Sequence, residues 1–287
     1  MSQKILVTGA TGTIGKALIK SLQTKNAAFV VGVRNKELAQ EKLPNVSIND
    51  MIEFDFSNAS TYEKAIEGVD KVFILGPPLV VTLVDLLSPF IDFLKTKTIM
   101  RVVYVSALGA ETLKDMPFHT ILSQKLIDDG FNYTILKPSF FAQNFKNYEW
   151  ENITQRSMTY MPAGNGRVGF VDVNDVGEVA AIVLTNDGHE RKTYELTGPE
   201  TLGYVDAARI LSEVTGKAIA YPNPSPEEFT SVLKSSGAPD FIAPYMIQVY
   251  SLIADNHVNL VTGDIQKVTG KKPNSLKQVL TDNFSAN

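Results

Sequence analysis

Residues Lys4–Gly15 read K-I-L-V-T-G-A-T-G-T-I-G, and this stretch decides the fold. Residues 5–7 form an unbroken apolar run, which is typical of a strand buried on both faces of a parallel sheet. Residues 16–22 read as a helix with apolar positions at 14, 18, 19 and 22, and three glycines lie between this helix and the strand. A strand, a glycine-rich turn and a helix in this order predict a dinucleotide-binding loop.

The three glycines of this turn have separate predicted tasks. Gly9 lets the chain leave the strand sharply, Gly12 leaves room for a pyrophosphate against backbone N–H groups, and Gly15 lets the helix pack close to the sheet. The positive end of the helix then favours phosphate charge. The spacing is G-x-x-G-x-x-G, and the alternative is a turn with a purely structural role.

The first half of the chain alternates strands and helices, which predicts an open, doubly wound α/β sheet. Predicted strands cover 5–7, 28–34, 51–56, 71–75, 101–105 and 133–136, and predicted helices follow the first five of them at 16–22, 35–43, 60–67, 80–96 and 118–129. Within these, Ser60 with Glu63 fits a capping box.

From about residue 139 the alternation ends and a mostly helical part follows. Its predicted helices cover 173–184 with Asn174 as cap, 204–215, 226–235, 239–255 and 276–284, and its predicted short strands cover 168–171 and 193–196. We therefore predict a dinucleotide-binding domain at 1–138 and a smaller substrate-binding part at 139–287, with segments around 168–196 returning to the main domain. Ligands of such sheets bind at the carboxyl ends of the strands, so we expect the substrate cleft between those loops and the helical part.

Composition excludes several classes of protein. The net charge of −4 and the lack of a basic stripe argue against nucleic-acid binding. The chain has no cysteine, which excludes disulfides, a thiolate nucleophile and thiolate metal centres, and we predict no metal site. The longest apolar stretch, 79–94, is interrupted by Asp85, Pro89 and Asp92 and predicts a buried helix. With no signal-peptide pattern at its start, we expect a cytoplasmic protein without a membrane partner.

The end of the second strand bears on the choice between NAD and NADP. An acidic residue there would bind the ribose 2′-hydroxyl, whereas this chain has Arg34, with Lys36 close by. A guanidinium holds phosphate by a charge-assisted contact, so we predict NADP(H) in preference to NAD(H). The alternative is that Arg34 is a solvated strand-end residue. Asp55, at the end of the third strand, is predicted either to accept a hydrogen bond from the adenine amino group or to form a turn or cap.

Several segments together resemble a known family. They are Gly9-Ala10-Thr11-Gly12-Thr13-Ile14-Gly15, Arg34-Asn35, Tyr133-Thr134-Ile135-Leu136-Lys137-Pro138, Pro162-Ala163-Gly164-Asn165-Gly166, Phe170-Val171-Asp172, Asp175-Val176-Gly177 and residues 188–196. The chain resembles the NmrA-like group of atypical short-chain dehydrogenases, and within it the branch of NAD(P)H:quinone oxidoreductase type 2 and triphenylmethane reductase.

The resemblance implies an NADPH-binding Rossmann domain and hydride transfer to a quinone, a triarylmethane or azo dye, or a similar planar electrophile. The positions that it assigns to the cofactor are Gly9, Thr11, Gly12, Thr13, Ile14, Arg34, Gly76, Pro77, Ser106 and Ala107. It assigns Phe140, Phe141 and Asn144 to the border of the substrate pocket. His119 matches a histidine of the branch, but Ser123 stands where the branch usually has a glutamate.

The proton donor and lysine of ordinary short-chain dehydrogenases are missing. The single Tyr-x-x-x-Lys match, Tyr133 to Lys137, has the composition of a strand, on which the two residues lie about 13 Å apart. His119 is then the candidate catalytic residue, with a helix-start residue satisfied by the backbone as the alternative. Substrates that need little acid help are favoured, since a ketone requires a strong proton donor.

Three functional hypotheses follow from this pattern. The first is an NADPH-dependent reductase of planar acceptors. The second is a regulator of the NmrA type that senses NADP(H) and binds a partner without turnover. The third, a sugar-nucleotide epimerase, is weakened because the tyrosine and lysine are absent. The sequence predicts no oligomeric state.

Overall fold

The computed structural model of the protein describes residues 3–97, 99 and 101–285. Its strands form one seven-stranded sheet. They are β1 (Ile5–Val7), β2 (Phe29–Val33), β3 (Met51–Glu53), β4 (Lys71–Ile74), β5 (Arg101–Val105), β6 (Asn132–Pro138) and β7 (Lys192–Leu196). The predicted α/β fold is confirmed.

The strand order β3-β2-β1-β4-β5-β6-β7 reverses direction between β1 and β4. Neighbouring strands from β3 to β6 pair in parallel, with Ile5 opposite both Phe29 and Lys71. Since parallel crossovers are right-handed, connections that leave this point in opposite directions lie on opposite faces of the sheet. The carboxyl end of β1 is therefore the topological switch point at which doubly wound sheets bind ligands.

The helices of the described residues follow the strands of the first half and then occupy most of the second. They are α1 (Thr13–Thr24), α2 (Lys36–Lys42), α3 (Tyr62–Ala65), α4 (Leu83–Thr96), α5 (Phe118–Asp128), α6 (Asn144–Asn147), α7 (Trp150–Arg156), α8 (Val173–Thr185), α9 (Tyr204–Thr215), α10 (Pro226–Ser235), α11 (Ile242–Ala254), α12 (Asp264–Thr269) and α13 (Leu276–Phe284).

The chain divides into two compact units. The first comprises Met1–Ala110, Met116–Lys137 and Val173–Tyr194, and the second Glu111–Asp115, Pro138–Asp172 and Glu195–Asn287. In the first unit α8 packs directly on α1. A Cβ at Gly177 would lie 2.6 Å from the backbone carbon of Ala17, so the contact requires glycine there.

The second unit contains an aromatic cluster, which we define as Phe145, Phe170, Tyr204, Tyr221 and Tyr250. The rings of Tyr204 and Phe145 lie 5.4 Å apart, and the hydroxyl of Tyr204 donates to that of Tyr250. Such ring pairs add to the stability that burial gives.

Several local expectations need correction. The 3₁₀ turn before α3 is capped by the Asn58 side chain, which accepts from Ser60 N–H, so the predicted box of Ser60 and Glu63 is wrong. Asn174 lies inside α8 rather than before it. The run 168–171 forms only isolated bridges instead of a strand, because its partners are single residues. The short polar helix α12 was not predicted.

Among the described residues, no helix combines the length and the apolar character that a membrane crossing requires.

Candidate active site

The turn after β1 has the geometry that the glycine spacing predicts. Gly9 has φ +64°, and a Cβ there would lie 2.9 Å from Leu75. A Cβ at Gly15 would lie 2.3 Å from the Gly9 carbonyl oxygen, so a side chain would separate α1 from the turn. At Gly12 the nearest atom is that same oxygen, at 3.3 Å. Gly9 and Gly15 are therefore needed by the backbone itself, whereas Gly12 keeps the space outside the turn open.

The N-terminus of α1 offers an anion site. Gly12 is its N-cap residue and supplies no side-chain cap, and its first turn holds no acidic residue. Gly12 and Thr13 are exposed, Thr11 is half-buried and Ile14 is buried in the core below. Uncapped N–H groups and the helix dipole together attract phosphate. The residues present therefore fit the pyrophosphate of a dinucleotide.

A guanidinium stands at the end of the next strand. Arg34 is exposed, and within the described part of the chain it makes no hydrogen bond or ion pair. Asn35 follows it and caps α2 by accepting from Leu38 N–H. The capping fixes where the helix begins and leaves the Arg34 side chain to project from the strand end.

Asp55 is engaged in a turn. Its Oδ1 accepts from the backbone N–H and the hydroxyl of Ser57, at 2.9 and 2.7 Å. These hydrogen bonds lower the pKa of the Asp55 carboxyl, and the charge of Arg34 adds a weaker effect in the same direction. Of the two sequence-based interpretations, the turn is therefore seen directly.

The ends of β1 and β4 are joined by a residue that sequence reasoning missed. The buried Thr8 hydroxyl donates to the Phe73 carbonyl and accepts from Leu75 N–H. This link holds the segment that leads into Gly76 and Pro77, which are half-buried and exposed, respectively. A threonine directly before the glycine turn was the available signal, but its partner on β4 requires the sheet topology.

Ser106 and Ala107 continue from β5 at the same edge of the sheet. Ser106 is buried and its N–H donates to the Leu136 carbonyl, while Ala107 is half-buried. Tyr104 lies two residues earlier, and because side chains alternate along a strand it points to the same face as Ser106.

Tyr104 pairs with His119, the second residue of α5. The Tyr104 hydroxyl lies 2.7 Å from Nδ1 of His119. The tyrosine is fully buried, whereas the histidine keeps partial exposure. Burial raises the pKa of Tyr104 well above its ordinary value and lowers the pKa of His119 to about 4. Both groups are therefore uncharged at neutral pH. Sequence reasoning found His119 but not its partner.

One turn further along α5 lies a hydroxyl without a partner. The Oγ of Ser123 is buried and makes no hydrogen bond to any described residue. Residues four apart share a helix face, so Ser123 lies on the face of His119. By contrast, Thr154, Ser212 and Thr215 each donate to the carbonyl four residues back.

The tyrosine and lysine of the Tyr-x-x-x-Lys match lie on β6. At the rise of a strand they are separated by about 13 Å, whereas a helix would bring them to about 6 Å. The prediction that this match is not a helical dyad is confirmed.

The substrate positions implied by the resemblance lie in the second unit. Phe140 and Phe141 are half-buried, and Phe140 packs edge-on against Tyr250 at 5.3 Å. Asn144 begins α6 and is half-buried. Phe145 is a core residue of the aromatic cluster, with 1% of its surface exposed.

A buried carboxyl group lies close to the aromatic cluster. Oε2 of Glu149 accepts from the Thr159 hydroxyl at 2.5 Å and from Tyr160 N–H at 2.6 Å. Burial raises the pKa of Glu149 to about 7 in spite of these two bonds. Among the described residues, no three histidine or acidic side chains converge as metal ligands would.

Reductases are among the known proteins of similar sequence and structure. The chain is 31% identical to the NAD(P)H azoreductase of Xenophilus azovorans, over 93% of each protein. A crystal structure of the NADPH-dependent quinone oxidoreductase of Escherichia coli complexed with NADPH superposes with a TM-score of 0.88 at 25% identity, covering 98% of this chain and all of the other. The triphenylmethane reductase of Citrobacter sp. complexed with NADP(H) gives 0.85 at 26% identity, covering 98% and 99%.

Together with the glycine turn, these relatives identify the protein as an oxidoreductase that uses a nicotinamide dinucleotide. The model of the NmrA-like family matches residues 1–284. The chain therefore belongs to the NmrA-like family.

Proposed function

We propose that this protein is an NADPH-dependent reductase that transfers hydride to a quinone, an azo or triarylmethane dye, or a similar planar electrophile. The observation that carries the proposal is the uncapped N-terminus of α1 at the switch point, together with Arg34 at the next strand end, which no described residue pairs with. Relatives with such acceptors in their names support the substrate class.

Preference for NADP(H) over NAD(H) rests on Arg34. A guanidinium binds a phosphate dianion with charge-assisted hydrogen bonds, and none of the described carboxylates forms an ion pair with Arg34. Asn35 is committed to α2, so the strand end offers the 2′-position a cation rather than an acceptor. A 2′-hydroxyl would instead require an acidic side chain.

The remaining cofactor contacts follow the edge of the sheet. We assign the pyrophosphate to Gly12 with the first turn of α1, and the nicotinamide ribose to the segments of Gly76 with Pro77 and of Ser106 with Ala107. The Asp55 Oδ1 is taken by Ser57, so any adenine contact uses the other carboxylate oxygen. When bound, the reduced nicotinamide supplies the hydride.

The chemistry must proceed without the usual tyrosine acid. A quinone or an iminium-like dye takes up hydride without prior protonation, so positioning of the two reactants is the main requirement. His119 is our candidate for the one polar catalytic contact, because it is a half-buried residue in the first turn of α5, the helix that follows β5. We assign the planar acceptor to the segment of Phe140, Phe141 and Asn144.

A turnover assay tests this proposal directly. Purified protein is mixed with NADPH and, separately, with a benzoquinone, a naphthoquinone, an azo dye and a triarylmethane cation, and loss of nicotinamide absorbance is followed. We expect turnover with at least one acceptor. Tight NADP binding with no turnover of any acceptor would instead favour the NADP(H)-sensing regulator.

Arg34→Ala tests the cofactor preference. Loss of charge-assisted bonds to a 2′-phosphate should raise the Michaelis constant for NADPH by about tenfold or more and leave that for NADH within about twofold. Arg209→Ala is the matched control, since Arg209 is an exposed arginine that pairs with Glu213 on α9. Equal effects of Arg34→Ala on both cofactors would refute 2′-phosphate recognition.

A further inference from the structure

The hydrogen bond between Tyr104 and His119 has a direction that the surroundings determine. A buried tyrosine hydroxyl needs an acceptor, and among the described residues Nδ1 of His119 is the one within reach. The tyrosine therefore donates, and Nδ1 accepts. A neutral imidazole carries one proton, so the proton of His119 lies on Nε2, at the opposite edge of the ring.

This tautomer gives the carboxyl edge of the sheet an uncharged donor. Burial alone accounts for the lowered pKa of His119, and the neighbouring rings, Tyr104 and Phe118, carry no charge at neutral pH. Because α5 follows β5 in a parallel crossover, its first turn lies at the carboxyl edge, where Ser106 follows the strand.

We propose that Tyr104 positions His119 so that its Nε2–H donates a hydrogen bond to an acceptor oxygen that becomes negative as hydride arrives, which selects quinones over cationic dyes. The inference rests on the proposed reductase function and narrows its substrate class. His119 is the catalytic residue, and Tyr104 is a positioning residue that acts through it.

The charge balance of the two reactions explains the selectivity. A quinone that takes up hydride, one proton with two electrons, becomes a hydroquinone monoanion, and water later supplies the second proton. A fixed N–H near that oxygen stabilises the developing charge. A triarylmethane cation that takes up the same hydride becomes a neutral leuco dye, so no negative charge develops for the donor to stabilise. The oxidised nicotinamide is the other product in both cases.

Variants at His119 separate the two nitrogens. His119→Asn keeps an acceptor close to the position of Nδ1 for Tyr104 and removes the Nε2–H, whereas His119→Gln keeps an amide donor close to Nε2. We expect His119→Asn to lower kcat/KM for 2-methyl-1,4-naphthoquinone about a hundredfold, the lower end of the range for loss of one such donor, and to change that for malachite green less than about threefold. His119→Gln should recover part of the quinone rate.

The chain offers a matched control. His189 Nδ1 pairs with the Tyr194 hydroxyl at 2.8 Å, the same kind of pair, beside the residues that contact Arg101 at the amino end of the sheet. His189→Asn should leave kcat/KM unchanged for both the quinone and the dye. Tyr104→Phe should reduce kcat for the quinone several-fold, because His119 loses the group that positions it, and should leave kcat for the dye unchanged.

A spectroscopic readout independent of turnover completes the test. In ¹⁵N-labelled protein, His119 should show a protonated Nε2 and an unprotonated Nδ1 that do not change between pH 5.5 and 8, and Tyr104→Phe should shift the Nδ1 signal. A proton on Nδ1, or titration near the ordinary histidine value, would overturn the inference. The inference would also be overturned if the wild type is active and His119→Asn lowers kcat/KM for the quinone and for the dye by the same factor, or lowers neither. A wild type inactive with every acceptor would refute the proposed function, and the catalytic inference with it.

Discussion

The two ends of the sheet in the first unit differ in whether their charged and polar groups have partners within the chain. At the amino end, Lys71 begins β4 and Arg101 begins β5, and both donate to carbonyls at the C-terminal end of α8. Arg101 also pairs with Asp187 and Glu190 at 2.9 and 2.8 Å. Cations at the negative end of a helix are stabilising, so the charges of this end are satisfied within the chain.

At the carboxyl end, polar groups are left without partners in the described part of the chain. The N-terminus of α1 has no side-chain cap, and Arg34 forms no ion pair with a described carboxylate. His119 is present but uncharged. The comparison teaches that the charged groups at the amino end of a sheet can stabilise the fold while polar groups at the carboxyl end stay available for a ligand. Doubly wound folds bind their ligands at that carboxyl end.

The largest expected effect separates the two kinds of glycine at the carboxyl end. Gly15→Ala places a Cβ 2.3 Å from the Gly9 carbonyl, so we expect it to lower the free energy of unfolding by about 3 kcal/mol. Gly12→Ala meets only a 3.3 Å contact and should cost less than about 1 kcal/mol, yet lower NADPH affinity about a hundredfold, because its Cβ occupies the phosphate space.

Urea unfolding and NADPH titration measure both quantities. Gly263→Ala is the control, since a Cβ there meets nothing within 4 Å. Normal NADPH binding by Gly12→Ala would break the comparison, because the carboxyl end would then not be reserved for a pyrophosphate.

The second prediction concerns acid pH. The pKa of His119 is lowered from 6.5 to about 4, so between these values the unfolded chain binds a proton that the folded chain does not. The contribution of neutral His119 to the free energy of unfolding is therefore fully present above pH 6.5. It is lost as the pH drops towards 4, by at most about 3 kcal/mol. His119→Asn should remove this part of the loss. Urea unfolding at pH 4.5 and 7 measures it, and an identical pH dependence in the variant would contradict the buried, uncharged histidine.

Much of the fold could be predicted because its signals are local. The run 5–7 with its glycines gave β1, the turn and α1, and the predicted bounds of α10 and α13 match the structure. Those helices begin after Ser225 and Ser275, whose side chains cap the backbone. A capping serine and the apolar spacing behind it lie within a few residues of each other.

The errors arose where two local signals compete or where partners are distant. Asn58 and Ser60 both have side chains that can cap a helix, and in the structure Asn58 forms the cap. An apolar run such as 168–171 has the composition of a strand, but strand formation depends on a partner that the run does not specify. The helix 264–269 is too short and polar for a periodic signal.

The candidate site divides along the same line. Gly9, Gly12 and Gly15 are adjacent in sequence, so their turn was predictable. Tyr104 and His119 come from a strand and a helix, and only the folded sheet brings the hydroxyl to Nδ1. Whether the Ser123 hydroxyl finds a hydrogen-bond partner likewise depends on which residues surround it in the fold, and no sequence pattern predicts that.

The third prediction concerns the amino end, where stability should fall without any change in kinetics. Arg101→Met removes two ion pairs and leaves the carbonyls of Val183 and Asn186 without their donor. We expect a loss of about 2 kcal/mol in the free energy of unfolding and unchanged kcat and KM. Arg209→Ala again serves as the exposed control. An altered KM for NADPH in Arg101→Met would show that the two ends are coupled, contrary to the comparison.

The smallest effect is expected at Lys71, because two terms there oppose each other. Its ammonium donates to the Leu184 carbonyl at 2.6 Å, but burial lowers its pKa from 10.5, which means that the folded state disfavours the charge. Lys71→Met removes the donor and the desolvation cost together, so stability at pH 7 should change by less than about 1 kcal/mol.

Alkaline pH separates these two terms at Lys71. As the pH rises towards 10.5, folded Lys71 loses its proton before the unfolded chain does, while the neutral amine still donates to Leu184. The wild type should therefore gain stability over Lys71→Met in urea unfolding as the pH rises from 7 towards 10.5. A constant difference across this range would mean that the amino end holds Lys71 charged at no cost, contrary to the desolvation cost that its lowered pKa indicates.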